Sequence, residues 1–470
     1  METKTLWENY SKEQICDMNL LAERYKDCLN QGKTERECVR ISVEMAEEAG
    51  YQSLKKAIQE NRSLKVGDKV YAVYNEKTLI LYHIGEDNLE EGMNILGAHI
   101  DSPRLDVKQN PLYENQGFAY LDSHYYGGIK KYQWVTIPLA LHGVVVKKDG
   151  SKIIVNIGEK EEDPVFCISD LLIHLAQKQM KRSSPELIMG EDLDLLIGSA
   201  SLAADDNEDE KKKEKERIKA NILRLLEEYY GMEEEDFLSA ELEIVPANKA
   251  KDMGLDRSMI LGYGQDDRIC AFTSLFAMLE CETPKRTACC LLVDKEEIGS
   301  VGASGMHSRF FENATAELLH LCGHSSDLAL RRCIAHSTML SSDVSAGYDP
   351  LYGDVFDKKN AAFLGKGPVF NKYTGSRGKS GSNDANAEYL AAIRRVLGDH
   401  NVQFQTAELG KVDAGGGGTI AYIMGNYGME VIDCGIALLC MHAPMEISSK
   451  ADVFETYRAY KAFLTFEGMN

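Results

Sequence analysis

Three apolar runs in the second half of the chain each stop at a short cluster of polar or ionisable residues, and no other feature constrains the fold as much. TACCLLV (287–293) ends before DKEEIGS, CIAHSTML (333–340) before SSDVS, and GIALLC (435–440) before MHAPME. Uninterrupted apolar runs of this length read as strands buried on both faces, and after Pro246 they alternate with amphipathic stretches of helical spacing. The pattern predicts an α/β fold with a mixed, mainly parallel sheet and helices on both faces. In open sheets of this kind ligands collect outside the carboxyl ends of the strands, which is where the polar clusters fall.

Upstream, residues 8–60 carry helical spacing, as in Leu20, Leu21, Tyr25, Cys28 and Leu29, and LKVGDKVYAVYNEKTLILYHIG alternates as strands do. From about Asp106 to Pro246 the character changes. WVTIPLALHGVVVKKDGSKIIVNIG reads as a hairpin turning at Asp149 and Gly150, and a polar helical region follows. We therefore expect an inserted β-rich domain over 106–246 that splits a larger domain formed by 1–105 and 247–470. Within the insert, DDNEDEKKKEKER (205–217) holds no apolar residue and is expected as a solvated loop.

With 53 Lys and Arg against 74 Asp and Glu, the formal charge is −21, which argues against nucleic acid or an anionic membrane as partner. No apolar run approaches the ~20 residues that span a bilayer. The start METKTLWENYSKEQ has no secretory character, so a cytoplasmic location is expected. The 12 Cys form no CxxC pair, and Cys270, Cys289, Cys290, Cys333 and Cys440 sit in apolar runs, as buried reduced thiols do.

Five segments place imidazoles or carboxylates where a strand meets a loop or helix: AHIDSP, GQDDRIC, DKEEIGS, SSDVS and MHAP. Each alone is weak, but the ordered set of His99, Asp101, Asp266, Asp267, Glu296, Glu297, Asp343 and His442 offers the N and O ligands of a hydrolytic divalent-metal site. In His99 and Asp101 the HxD spacing lets one ring nitrogen bind metal while the carboxylate holds the other N–H. The adjacent Glu296 and Glu297 cannot point the same way from an extended backbone, so one is expected to ligate metal and the other to face substrate as acid and base.

The stretches GAHIDSPRLDVK, GQDDRICAFTS, VDKEEIGSVGASG, SSDVSAGYDPLY, GGGGTIAYI and MHAPMEIS resemble those of the aspartyl-aminopeptidase family, family eighteen of the metallopeptidases, over residues 97 to about 450. The resemblance implies a zinc exopeptidase-like catalytic domain carrying an inserted dimerisation domain, and a bacterial metalloaminopeptidase acting on peptides with a free N-terminus. It further implies two divalent ions per subunit, zinc foremost, with cobalt and manganese suited to the same ligands. Asp266 would bridge them, His99 and Asp343 completing one and Glu297 and His442 the other, with Asp101 behind His99. Glu296 would be the general acid/base for attack by a metal-bridging hydroxide. His174 in LLIHLAQ resembles a histidine sent into a neighbouring subunit's site, and family members assemble as dimer-based dodecamers. Lys372 resembles the lysine lining the pocket for the first side chain, and Gly416 and Gly417 belong to a loop whose backbone can approach a ligand closely.

The chain departs from the family where acid-selective members carry histidines: Ala346 and Asp349 stand there, and a carboxylate facing the pocket would repel an acidic side chain. Neutral or broader specificity is therefore expected. Asp267 likewise replaces an asparagine often found after the bridging aspartate. Two other readings share these residues. One is an amidohydrolase or deacylase on non-peptide substrates, told apart by whether a free α-amino group is required. The other is an inert binding assembly, disfavoured because no ligand position is missing.

Overall fold

The computed structural model describes residues 4–202, 216–375 and 378–469. Residues 205–215 of the charged segment lie outside the described residues. The chain divides into two units, one of residues 1–102, 250–441 and 446–470, the other of 103–249 and 442–445.

The first unit is built on a nine-stranded mixed sheet. Its centre is four parallel strands in the order Ala288–Val293, Asn94–His99, Thr338–Ser341 and Glu430–Gly435, flanked by the antiparallel partners Thr78–His83 and Val369–Asn371. Every residue of Ala288–Val293 and Asn94–His99 is buried, the burial that near-continuous apolar strands require. Alternate side chains enter two cores. Leu96, Ala98, Cys290, Leu292 and Leu340 meet the helices Lys12–Gln31, Glu35–Glu48, Gln265–Leu279 and Lys450–Leu464. Ile95, Cys289, Leu291 and Met339 meet Leu54–Gln59, Phe310–Leu321 and Asp327–Ala335 on the other face. Capping boxes at Ser11 with Gln14 and at Thr34 with Glu37 start the first two long helices.

Two expected strands are shifted. Cys333–Ala335 close the helix Asp327–Ala335, so only the last three residues of CIAHSTML belong to the strand Thr338–Ser341. The last central strand is Glu430–Gly435, earlier than GIALLC, of which only Ala437–Leu438 forms a short parallel pair with Ser345–Ala346. Gly435 explains the break, because a Cβ there would stand 1.7 Å from the Asp343 carbonyl oxygen. Cys440 is exposed, unlike Cys270, Cys289, Cys290 and Cys333.

The second unit is a six-stranded antiparallel sheet in the order Lys152–Ile157, Leu139–Val146, Ala240–Pro246, Arg104–Asn115, Phe118–Tyr126, Leu195–Gly198. The first two form a hairpin closed by Lys147 N–H on Ser151 O at 2.8 Å, with Gly150 at φ 86. The amphipathic run around His174 is not a regular helix. Residues 173–178 form turns, because Asp170 Oδ1 accepts from Leu171 N and Gln179 Nε2 and closes the segment on itself.

Candidate metal centre

The parallel strands end together, and the residues after them converge. His99 is the last residue of Asn94–His99 and pairs in register with Val293. Asp294 and Lys295 then lead into the short 3-10 helix Glu296–Ile298, and Asp343 follows Thr338–Ser341 by two residues. Asp266 and Asp267 open the fully buried helix Gln265–Leu279.

His99 Nε2 lies 3.3 Å from Asp266 Oδ1 and 3.9 Å from Glu296 Oε2. Its Nδ1 faces Asp101, 3.0 Å from the carbonyl oxygen and 3.3 Å from Oδ1. That contact fixes the ring and turns Nε2 toward the acids. Asp101, wholly buried, also accepts the backbone N–H of Glu296 at Oδ1 (3.1 Å) and of Glu297 at Oδ2 (3.2 Å). One carboxylate therefore orients the imidazole and both glutamates. Ser304 Oγ donates to Asp294 Oδ2 and anchors the segment that carries those glutamates.

Two sets of ligand atoms lie within 4.8 Å of one another: His99, Asp266 and Glu297, and His99, Asp267 and Asp343. Burial raises the Asp343 and Asp267 carboxyls well above the usual range, and the neighbouring acids push them further. Burial opposes an imidazolium at His99, but Asp101 and Asp266 outweigh it and raise its pKa. The buried Asp267 carboxylate has the Cys270 thiol as its side-chain neighbour and no N–H or O–H donor among the described residues. Buried carboxylates this close cost much free energy without a cation, and imidazole with carboxylates is a donor set that zinc accepts. The residues fit divalent metal.

The other sequence-predicted residues have these surroundings. His442 belongs to the second unit, its Nδ1 2.8 Å from Gly128 O. His174 is exposed, also in the second unit. Asp349 is spent as a cap, Oδ1 accepting the Leu351 N–H at 2.9 Å at the start of Pro350–Val355. Lys372 Nζ lies 3.6 Å from Asp384 Oδ1, and Lys379 Nζ lies 3.0 Å from Oδ2 of the same carboxylate. Lys379 above all holds Asp384 below its usual pKa. Gly416 has φ 119, and Gly417 N–H donates to Thr374 O at 3.3 Å.

Sequence reasoning passed over Asp433 and Glu446. Asp433 is buried at the end of Glu430–Gly435 and accepts from Thr419 Oγ1, tying down the glycine-rich loop. Burial pushes its carboxyl up to about 7. For Asp433, an acid inside an otherwise apolar run, VIDCGIALLC, was the available signal.

Residues 28–464 match the family described as aminopeptidase I zinc metalloprotease (M18). The chain belongs to this family. A probable M18 family aminopeptidase 1 of Clostridium acetobutylicum is 58% identical over 463 residues, 98% of each chain. The crystal structure of an M18 aminopeptidase from Thermotoga maritima superposes with a TM-score of 0.93 at 44% identity, covering 99% of this chain and 100% of that one. A more distant likeness is a dodecamer from S. cerevisiae, with TM-score 0.74, 20% identity and coverage of 94% and 95%. This M18 protein is thus a metal-dependent aminopeptidase of the zinc metalloprotease type.

Proposed function

We propose that the M18 enzyme removes single residues from peptides with a free N-terminus, with two divalent ions in the cluster and Glu296 as general acid/base. The observation that carries this reading is the Asp101 carboxylate, which accepts the N–H of Glu296 and of Glu297 while bracing His99. It fixes the backbone of the neighbouring glutamates beside His99. His99, Asp266, Glu297 and Asp343 are the residues that would hold the ions. Such ions supply Lewis-acid polarisation of the scissile carbonyl and a water of lowered pKa. Glu296 accepts the proton of the attacking water and returns it to the departing amine. The partly exposed carboxylate suits this, since it must be reached by both water and leaving group.

For the first side chain, the half-exposed contact of Lys372 with Asp384, a carboxylate that Lys379 holds more closely, is too weak to select acidic residues or reject them. The neutral or broad preference proposed here rests on Asp349 standing where acid-selective members carry a histidine. Zinc is the proposed ion, with cobalt and manganese as substitutes. We further propose a cytoplasmic, dimer-based dodecamer, in line with the S. cerevisiae dodecamer of the same fold. No helix among the described residues is long and apolar enough to cross a membrane.

The test is a panel of free and N-acetylated aminoacyl-p-nitroanilides, run on metal-loaded wild type and Glu296→Gln. Turnover of free amines alone, lost in the variant with metal still bound, supports the reading. Turnover of the acetylated series would make it a deacylase, and no turnover of any free amine would overturn it.

A further inference from the structure

The segment that contains His442 also carries an acid, Glu446, which no step above uses. It opens the strand Glu446–Ser449 and is 1% exposed. Its Oε2 accepts the backbone N–H of Asp266 at 3.1 Å. The same strand grips the preceding residue from both ends of its side chain. Gln265 Nε2 donates to Glu446 O at 2.7 Å, and Ser448 Oγ donates to Gln265 Oε1 at 2.6 Å. Tyr25 OH reaches that oxygen from the N-terminal helix at 3.4 Å, and Ser102 Oγ donates to Asp266 O at 2.7 Å.

Asp266 thus has its N–H and its carbonyl both spoken for by buried side chains, and its predecessor is clamped. Helix propensity alone does not set its backbone, which departs from helical geometry at φ −79, ψ 107. The direction of the Asp266 side chain follows from that backbone. We propose that Glu446 is a positioning residue for Asp266, acting by the length and reach of its acceptor to aim the Asp266 carboxylate at the metal site. The proposal rests on the reading that Asp266 is a metal ligand.

Metal affinity, measured by zinc competition with a chromogenic chelator, tests this together with the visible spectrum of the cobalt-loaded protein. Glu446→Gln keeps both length and acceptor and should keep affinity close to wild type. Glu446→Asp keeps the charge but withdraws the acceptor by one methylene, and should weaken affinity by about tenfold or more and alter the cobalt spectrum. Wild-type affinity in Glu446→Asp, or equal losses in the two variants, would overturn the proposal. Asp266→Asn is the control: if it leaves affinity intact, the ligand reading itself fails. Should Glu446→Asp not fold, Glu446→Met decides, since it keeps the length and removes the acceptor of the Asp266 N–H. Weaker affinity there than in Glu446→Gln supports the proposal, and equal affinity overturns it.

Discussion

Glu296 and Asp101 sit at the two ends of one chain of contacts, and substitution separates their roles. Glu296→Gln should lower kcat by about 10²–10⁴-fold with metal affinity preserved, as removal of a general base does. Asp101→Asn should instead weaken metal affinity by about 10–100-fold, read by chelator competition, because His99 loses its brace. A third residue reports on the scaffold. His83 ends the strand Thr78–His83, is buried, and has Nδ1 unpartnered. Burial, with Lys69 beside it, pushes its imidazole from 6.5 down to about 4. Between those values the unfolded chain binds the extra proton and the folded one does not, so this group's stabilisation is full above pH 6.5 and falls as pH drops toward 4. His83→Gln should flatten that part of a Tm against pH profile relative to wild type. Residues of this kind were legible in the sequence to different degrees. His99, Asp266, Glu297 and Asp343 announced themselves because ionisable side chains stood at the ends of apolar runs, and the structure does gather them. Glu446 did not, since an acid reads alike whether it faces solvent or receives a buried N–H, and only the tertiary partner tells the two apart.

Elements were legible by type and less so by boundary. Hydrophobic continuity marked the central strands correctly as buried on both faces, but it could not say where a strand stops when the apolar run continues. Gly435 ends one by close approach to another backbone, a contact between residues 343 and 435 that no local pattern encodes. Gly435→Ala should therefore destabilise the protein by about 1–3 kcal/mol, seen as a lower midpoint in urea. The same logic applies to the glycine-rich loop. A Cβ on Gly415 would stand 1.7 Å from Leu409 O, so Gly415→Ala must move the loop. Its expected signature is a raised KM with metal affinity unchanged. The polar region expected to be helical after the hairpin is turns around His174, where Asp170 Oδ1 accepts from Leu171 N and Gln179 Nε2.

At the scale of the whole molecule, the charge of the cluster makes the fold depend on what it binds. Stripping metal leaves Asp267 and Asp343 buried near each other, where their raised pKa values mean that protons must replace the cation. Chelation should lower Tm and abolish turnover, and added zinc should restore both, since a ligand that binds only the folded state stabilises it by mass action. Light scattering on the metal-loaded protein should give about twelve times the 52.4 kDa subunit mass if the proposed assembly is right. Sheet order carries one more consequence. Asn94–His99 lies between Ala288–Val293 and Thr338–Ser341, strands made nearly 200 residues or more later, and Asp343 follows the last of them. A chain still emerging from the ribosome has no complete cluster until all three have been synthesised. The site is therefore a late product of synthesis, assembled only once Asp343 has been made.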